Sequence, residues 1–156
     1  VVTSNGEVDI IASDAEIEVN IGIDIESDVY TIDEEYVSRI VPNTTVSSFK
    51  QNIISSQELI ITDVNGNIIG ENDLVATGMK LKVGANTEFT LVVTGDIDGN
   101  GKITVTDLAK IKMHQVSLNI LTGEFEMAAD VNGDGSISAT DIAQIKLVIV
   151  GLKTIQ

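Results

Sequence analysis

Apolar and polar residues alternate near the start of the chain. Val8 and Ile10 lie two positions apart, and every second residue is apolar over residues 17–25. A period of two is typical of β-strands. Residues 1–28 are therefore predicted to form a β-strand leader or the tail of a preceding module. Because the chain starts within such a pattern, we expect it to be a fragment of a longer protein.

Residues 29–94 combine several strand patterns with one helical pattern. Apolar runs predict strands at residues 29–32, 59–64, 79–83 and 89–93. A threonine after Pro42 is placed to cap a helix. One face of this helix is predicted to carry Val46, Phe49, Ile53 and Ile54. The expected fold class is α+β, with a short helix on a small mixed sheet that is β-grasp-like or Ig-like.

Residues 95–156 contain one pattern twice. GDIDGNGKITVTD begins at Gly95, and ADVNGDGSISATD begins 34 residues later at Ala129. In each copy an acidic loop precedes residues at helical spacing that are expected to be buried. These are Leu108, Ile111, Gln115 and Val116 in the first copy and Ile142, Ile145 and Ile149 in the second. A unit this short cannot bury its own apolar face, so the two copies are predicted to pack together as an all-α domain.

The charge of the chain limits its partners. The formal net charge is −15, which disfavours nucleic acid and anionic membrane surfaces and favours cations. The chain has no cysteine, which excludes disulfides and thiolate metal sites. It also has no apolar run long enough to span a bilayer.

The two repeated loops have the spacing of calcium ligands. Ca²⁺ takes six to eight oxygens, and a twelve-residue loop supplies them from positions 1, 3, 5, 7, 9 and 12, with Gly at position 6 for the turn. The first loop offers Asp96, Asp98, Asn100, the carbonyl of Lys102, Thr104 through a water, and Asp107. The second offers Asp130, Asn132, Asp134, the carbonyl of Ser136, Ser138 through a water, and Asp141. Two tandem matches predict two Ca²⁺ ions.

Three features qualify this pattern. Position 12 is Asp in both loops, whereas a common EF-hand has Glu there. The run before the first loop reads as a strand, so each unit is predicted to be a loop with an exiting helix only, a half EF-hand. A sensor that opens a groove is therefore not expected. A third acidic stretch, at Asp63, lacks the Gly at position 6, and its Asn65-Gly66 predicts a hairpin turn.

The repeated motif resembles a pair of type I dockerin repeats. Both copies fill Asp-x-[Asp/Asn]-Gly-[Asp/Asn]-Gly-x-Ile-x-x-x-Asp and continue into a helical pattern, over residues 95–151. The unit at 29–94 resembles, more loosely, the X module that often precedes a dockerin. That likeness rests on the arrangement and on Tyr30, Pro42, Thr44-Thr45, Thr77-Gly78-Met79 and the last strand leading into Gly95. The domain division is thus 1–28, 29–94 and 95–156.

The resemblance implies a non-catalytic, calcium-dependent module that binds a cohesin and anchors its parent in a cellulosome-type assembly for polysaccharide degradation. Such proteins are secreted and extracellular or at the cell surface. The implied cohesin contacts are Val105, Thr106, Lys112 and Met113 in the first copy and Ala139, Thr140, Lys146 and Leu147 in the second. Since the copies share Thr106/Thr140 and Lys112/Lys146, two binding orientations related by a half-turn are expected.

Three other classes of protein are weighed against this interpretation. An enzyme is disfavoured because the single histidine, His114, has no nucleophile–base set around it in the sequence. A carbohydrate-binding module is disfavoured because the chain has no Trp and only 3% aromatic residues. A calcium-stabilised stalk or adhesin segment without a cohesin partner stays open as the alternative. The apolar run at residues 147–150 is expected either in an internal core or in a partner-binding patch.

Overall fold

The computed structural model describes residues 25–156, so the strands predicted before residue 25 lie outside the described part. Seven strands and four helices follow in chain order. The strands are β1 (Ile25–Glu26), β2 (Thr31–Ile32), β3 (Tyr36–Ile40), β4 (Ile54–Ser55), β5 (Leu59–Thr62), β6 (Lys80–Val83) and β7 (Thr87–Val93). The helices are α1 (Val46–Gln51), α2 (Val105–Gln115), α3 (Gly123–Ala129) and α4 (Ala139–Ile149).

The first part of the described chain is built on a mixed five-stranded sheet. The strand order is β2-β3-β7-β6-β5, in which β3 and β7 run parallel and the other neighbours run antiparallel. β1 and β4 form a separate two-stranded ribbon. The sequence-based prediction of a small mixed sheet with one short helix is therefore confirmed.

Helix α1 covers the core of this mixed-sheet unit. It starts at Thr45, whose side chain accepts a hydrogen bond from the backbone N–H of Ser48, as the predicted threonine cap requires. Phe49 on α1 is fully buried and stacks on Tyr30, with ring centroids 5.0 Å apart. The surrounding apolar residues of the sheet include Val37, Leu81 and Leu91, all buried.

The second part of the chain has its own apolar core. Helices α2 and α4, the two repeats, pack against each other as predicted. Ile111 and Ile145 are fully buried between them, and Leu108 and Ile149 are partly buried in the same cluster. Each helix begins with a capping box, Thr104 with Asp107 in α2 and Ser138 with Asp141 in α4.

Several sequence-based expectations for single elements are wrong. The predicted helix ends at Gln51, so Ile53 follows it as a buried residue and Ile54 lies in β4 with 63% of its surface exposed. Strand β3 was not predicted, since a register shift between Val37 and Ile40 breaks its alternation. Gln115 and Val116 are exposed, because α2 ends there and turns away from the core.

The second loop also differs from its predicted form. Helix α3 leads directly into it, ending at Ala129 one residue before Asp130. The second unit is therefore helix–loop–helix, whereas the first has strand β7 before its loop, as expected. Ala128 and Ala129 are buried, and α3 packs on β7, which explains why a short segment with few large apolar residues is helical here.

The run at residues 147–150 is divided between core and surface. Ile149 packs into the helical core, while Val150 is 65% exposed and Leu147 is 40% exposed. None of the helices between residues 25 and 156 combines the length and the apolar character needed to cross a membrane.

Candidate functional site

The first loop brings three carboxylates to one point. Asp96, Asp98 and Asp107 each place an oxygen within 4.8 Å of the oxygens of the other two. Among the described residues this is the one cluster of three acidic side chains that meets the geometry of a metal site. Repulsion between carboxylates disfavours such a cluster unless hydrogen bonds or a cation offset it.

Backbone N–H groups hold two of these carboxylates in place. The side chain of Asp96 is buried and accepts hydrogen bonds from the backbone N–H groups of Gly99, Asn100 and Gly101, each at 2.9 Å. Oδ1 of Asp107 accepts from the N–H groups of Ile97 at 2.8 Å and Asp98 at 3.0 Å. The glycines thus let the loop turn back on its first carboxylate, with φ near +78° at both Gly99 and Gly101.

Asp98 is the carboxylate that lacks such support. Its Oδ1 atom is buried and has no hydrogen-bond partner. The pKa of Asp98 is raised above its ordinary value, chiefly because burial disfavours the charged form and further because Asp107 and Asp96 repel it. A buried acceptor without a partner costs about 1–3 kcal/mol, which a bound cation would offset.

The second loop repeats the hydrogen-bond pattern of the first. Asp130 accepts from the N–H groups of Gly133, Asp134 and Gly135 at 2.9, 3.1 and 2.8 Å. Oδ1 of Asp141 accepts from Val131 at 2.9 Å and Asn132 at 3.2 Å. The two loops therefore share one backbone design, with the carboxylates of positions 1 and 12 held alike.

The loops differ at the remaining oxygen ligands. In the second loop Asp134 accepts from the hydroxyl and the N–H of Ser136 and from the Asn132 amide. These hydrogen bonds, first that of Ser136 and then that of Asn132, lower the pKa of Asp134. In the first loop Asn100 accepts only from the N–H of Lys102. The polar side chains of the second loop thus form hydrogen bonds partly with one another.

The position-9 residues serve the helices that follow. The hydroxyl of Thr104 donates to Asp107 Oδ2, and the hydroxyl of Ser138 donates to Asp141 Oδ2, both at 3.0 Å. These hydrogen bonds tie each hydroxyl to the carboxylate at position 12 of its own loop. The described residues therefore fit an oxygen-loving divalent cation, and Asp98 Oδ1 is the atom that most requires one.

The mixed-sheet unit touches the first loop, which sequence reasoning did not foresee. The backbone N–H of Thr77 donates to Asp96 Oδ2 at 2.9 Å, and that of Asn43 donates to the carbonyl of Gly101 at 2.8 Å. The Thr77 hydroxyl is bonded to the backbone of Val93 at the end of β7. The sequence marked Thr77 only as part of the X-module likeness and did not predict this contact, because the partner of Thr77 lies 19 residues away.

The residues expected to contact a partner are all exposed. Val105 and Thr106 begin α2, and Ala139 and Thr140 begin α4. Further along the same helices lie Lys112 and Met113, and Lys146 and Leu147. His114 is not one of these exposed residues. Its Nδ1 accepts a hydrogen bond from the N–H of Leu121 at 3.0 Å, which fixes the loop after α2.

Comparison with known proteins bears on the second part of the chain. No curated protein and no solved structure matches the chain. A family model does match, that of the Dockerin type I domain, over residues 94–149. These residues include both loops and all of α2, α3 and α4. The match supports a type I dockerin in this region, a kind of module that is non-catalytic and binds cohesins in a calcium-dependent manner.

Proposed function

We propose that residues 95–156 form a dockerin that binds two Ca²⁺ ions and a cohesin, and thereby anchors the parent protein in a cellulosome-type assembly. The observation that carries this proposal is the convergence of Asp96, Asp98 and Asp107 in a loop whose design recurs 34 residues later. Ca²⁺ is favoured over Mg²⁺ because Ca²⁺ accepts six to eight oxygens in variable geometry, whereas Mg²⁺ demands a near-ideal octahedron.

The first ion would be held by Asp96, Asp98, Asn100, the carbonyl of Lys102 and Asp107, with Thr104 acting through a water. The second would be held by the counterparts Asp130, Asn132, Asp134, the carbonyl of Ser136 and Asp141, with Ser138 acting through a water. Calcium supplies the positive charge that lets these carboxylates lie together. Because the ordered loops bind and the unfolded chain does not, metal binding stabilises the fold.

The cohesin-binding face would lie on α2 and α4. Val105, Thr106, Lys112 and Met113 form one half of it, and Ala139, Thr140, Lys146 and Leu147 form the other. All eight residues are exposed, and helices with capped starts hold them rigidly. The equivalence of the halves supports two binding orientations related by a half-turn.

The mixed-sheet unit would be an X module, giving an X–dockerin pair with domains at 29–94 and 95–156. Two separate apolar cores support this division, although the first core also includes Ile25, before residue 29. Thr77 and Asn43 make contacts across the boundary between the units. Function in a cellulosome-type assembly places the parent protein outside the cell or at its surface. The calcium-stabilised stalk or adhesin, which would need no cohesin, has no observation in its favour.

Binding to a panel of cohesins with calcium and with EDTA tests the proposal. We expect capture by at least one cohesin in calcium and none in EDTA. The variant Asp96→Asn with Asp130→Asn is expected to lose capture. Asp63→Asn is the matched control, since Asp63 accepts from Asn65 and Asn67 in a turn that lies outside the two repeated loops. Calcium binding without capture by any cohesin would contradict the cohesin assignment.

A further inference from the structure

The single arginine of the chain, Arg39, lies against the second loop. It belongs to β3 of the mixed-sheet unit, at the register shift in that strand. Its φ of 65° is unusual for a residue with a side chain, and a bulge of this kind re-aims the side chain that it carries. The side chain therefore points to a place that a regular strand would not reach.

The guanidinium of Arg39 packs on the α-carbon of Gly133, position 4 of the second loop. A Cβ built on Gly133 would overlap the Nη2 atom of Arg39 and lie 2.7 Å from its Cζ. Arg39, Gly133 and Gly135 also line one cavity of about 230 Å³ together with Asp130, the first carboxylate of the loop. No carboxylate oxygen among the described residues lies within 4.0 Å of Arg39, so the guanidinium faces the loop without a salt bridge.

The first loop faces the same unit through neutral backbone groups and not through a charged side chain. A Cβ on Gly99, the equivalent position 4, would lie 3.1 Å from the carbonyl oxygen of Thr77. A Cβ on Gly101 would lie 2.5 Å from the carbonyl oxygen of Val75. The unit thus presents neutral backbone groups to the first loop, both these carbonyl oxygens and the N–H groups of Thr77 and Asn43, whereas it presents a full positive charge to the second.

We propose that the mixed-sheet unit separates the calcium affinities of the two loops, with Arg39 as the residue that weakens binding in the second. A cation beside a loop opposes the entry of a divalent ion, whereas the neutral N–H groups of Thr77 and Asn43 preorganise the first loop. The first loop therefore fills at lower calcium than the second. This inference rests on the proposed calcium sites, and it adds to them an order of filling.

Calcium titration of the full chain by NMR tests the inference. The amides of Gly101 and Gly135 report on separate loops, because they donate to Asp96 and Asp130. We expect Arg39→Gln to tighten the second site by about fivefold at low ionic strength and by less at high salt, because Arg39 is exposed and screened. The first site of the same variant should stay unchanged and so controls for its folding.

Two control variants test whether the effect depends on the positive charge of Arg39 and on its position beside the second loop. Arg39→Lys keeps the positive charge and should bind calcium as the unmodified chain does. Lys82→Gln removes an equal charge near the far end of the sheet and should leave both sites unchanged. An affinity of the second site within twofold of the unmodified chain in Arg39→Gln would overturn the inference. An amide of Gly135 that does not respond to calcium in any variant would instead overturn the second calcium site of the proposed function.

Discussion

At the scale of single residues, Asp98 is expected to link the stability of the chain to calcium. Its buried Oδ1 has no partner, and its raised pKa shows that the folded chain disfavours its charged form. For an acid whose pKa is raised on folding, deprotonation costs stability. The calcium-free protein is therefore expected to lose stability as pH rises from the ordinary value of 3.8 through the raised pKa.

Removal of the Asp98 charge should have opposite effects on the stability of the calcium-free protein and on calcium binding. We expect Asp98→Asn to stabilise the calcium-free protein at neutral pH, because it removes a repelled, partly buried charge, and to weaken calcium binding in the first loop. Urea unfolding in EDTA and a calcium titration measure the two effects. Asp134→Asn is the matched control, since hydrogen bonds lower the pKa of Asp134 and its neutralisation should not stabilise the calcium-free chain.

The position-6 glycines give a second prediction at this scale. Gly101 and Gly135 have φ of +78° and +87°, so alanine strains both, by about 1–3 kcal/mol. A Cβ on Gly101 would also lie 2.5 Å from the carbonyl oxygen of Val75, whereas nothing lies within 4 Å of one on Gly135. Gly101→Ala is therefore expected to destabilise the calcium-loaded chain by about 1–3 kcal/mol more than Gly135→Ala. Equal midpoints of urea unfolding would contradict this packing.

At the scale of elements, the two repeats predict paired contributions to binding. Under the proposed two orientations, Lys112→Ala with Met113→Ala should reduce cohesin affinity by only about twofold, and so should Lys146→Ala with Leu147→Ala. All four changes together should abolish binding. Surface plasmon resonance measures each variant. Loss of binding from one pair alone would mean that only one orientation is used.

The elements that were predicted from sequence are those with uninterrupted local patterns. The Thr45 cap, the β7 run and the isoleucines of α4 each rest on a signal from neighbouring residues. Each is found as expected. β3 was missed because the extra residue at its bulge breaks the alternation. α3 was missed because its helical form depends on contact with β7 and not on a strong pattern of its own.

At the scale of the whole molecule, the first repeated loop and the mixed-sheet unit are joined by hydrogen bonds. The spacing of the repeated loops was readable from the sequence, since it is local. The Thr77–Asp96 hydrogen bond and the approach of Arg39 to Gly133 were not, because both join residues that are distant in the chain. The sequence thus indicated the metal chemistry but not the way in which the mixed-sheet unit shapes it.

This connection predicts that calcium protects part of the mixed-sheet unit. Removal of calcium should speed hydrogen exchange at the Thr77 amide, which donates to Asp96, and at Gly78, which donates to Leu91. Amides of the β6–β7 hairpin at the far end of the sheet should change less. Hydrogen exchange by NMR in calcium and in EDTA makes the comparison. Equal exchange at Thr77 in both conditions would show that the loop and the unit are not coupled.

The central claim is that each repeated loop of this acidic chain binds one calcium ion. Isothermal titration calorimetry of the EDTA-stripped chain with calcium tests it most directly. The account predicts two ions per chain, one ion for a chain with Asp96→Asn or Asp130→Asn, and two again for Asp63→Asn. No calcium uptake, or uptake that both loop variants leave unchanged, would contradict it.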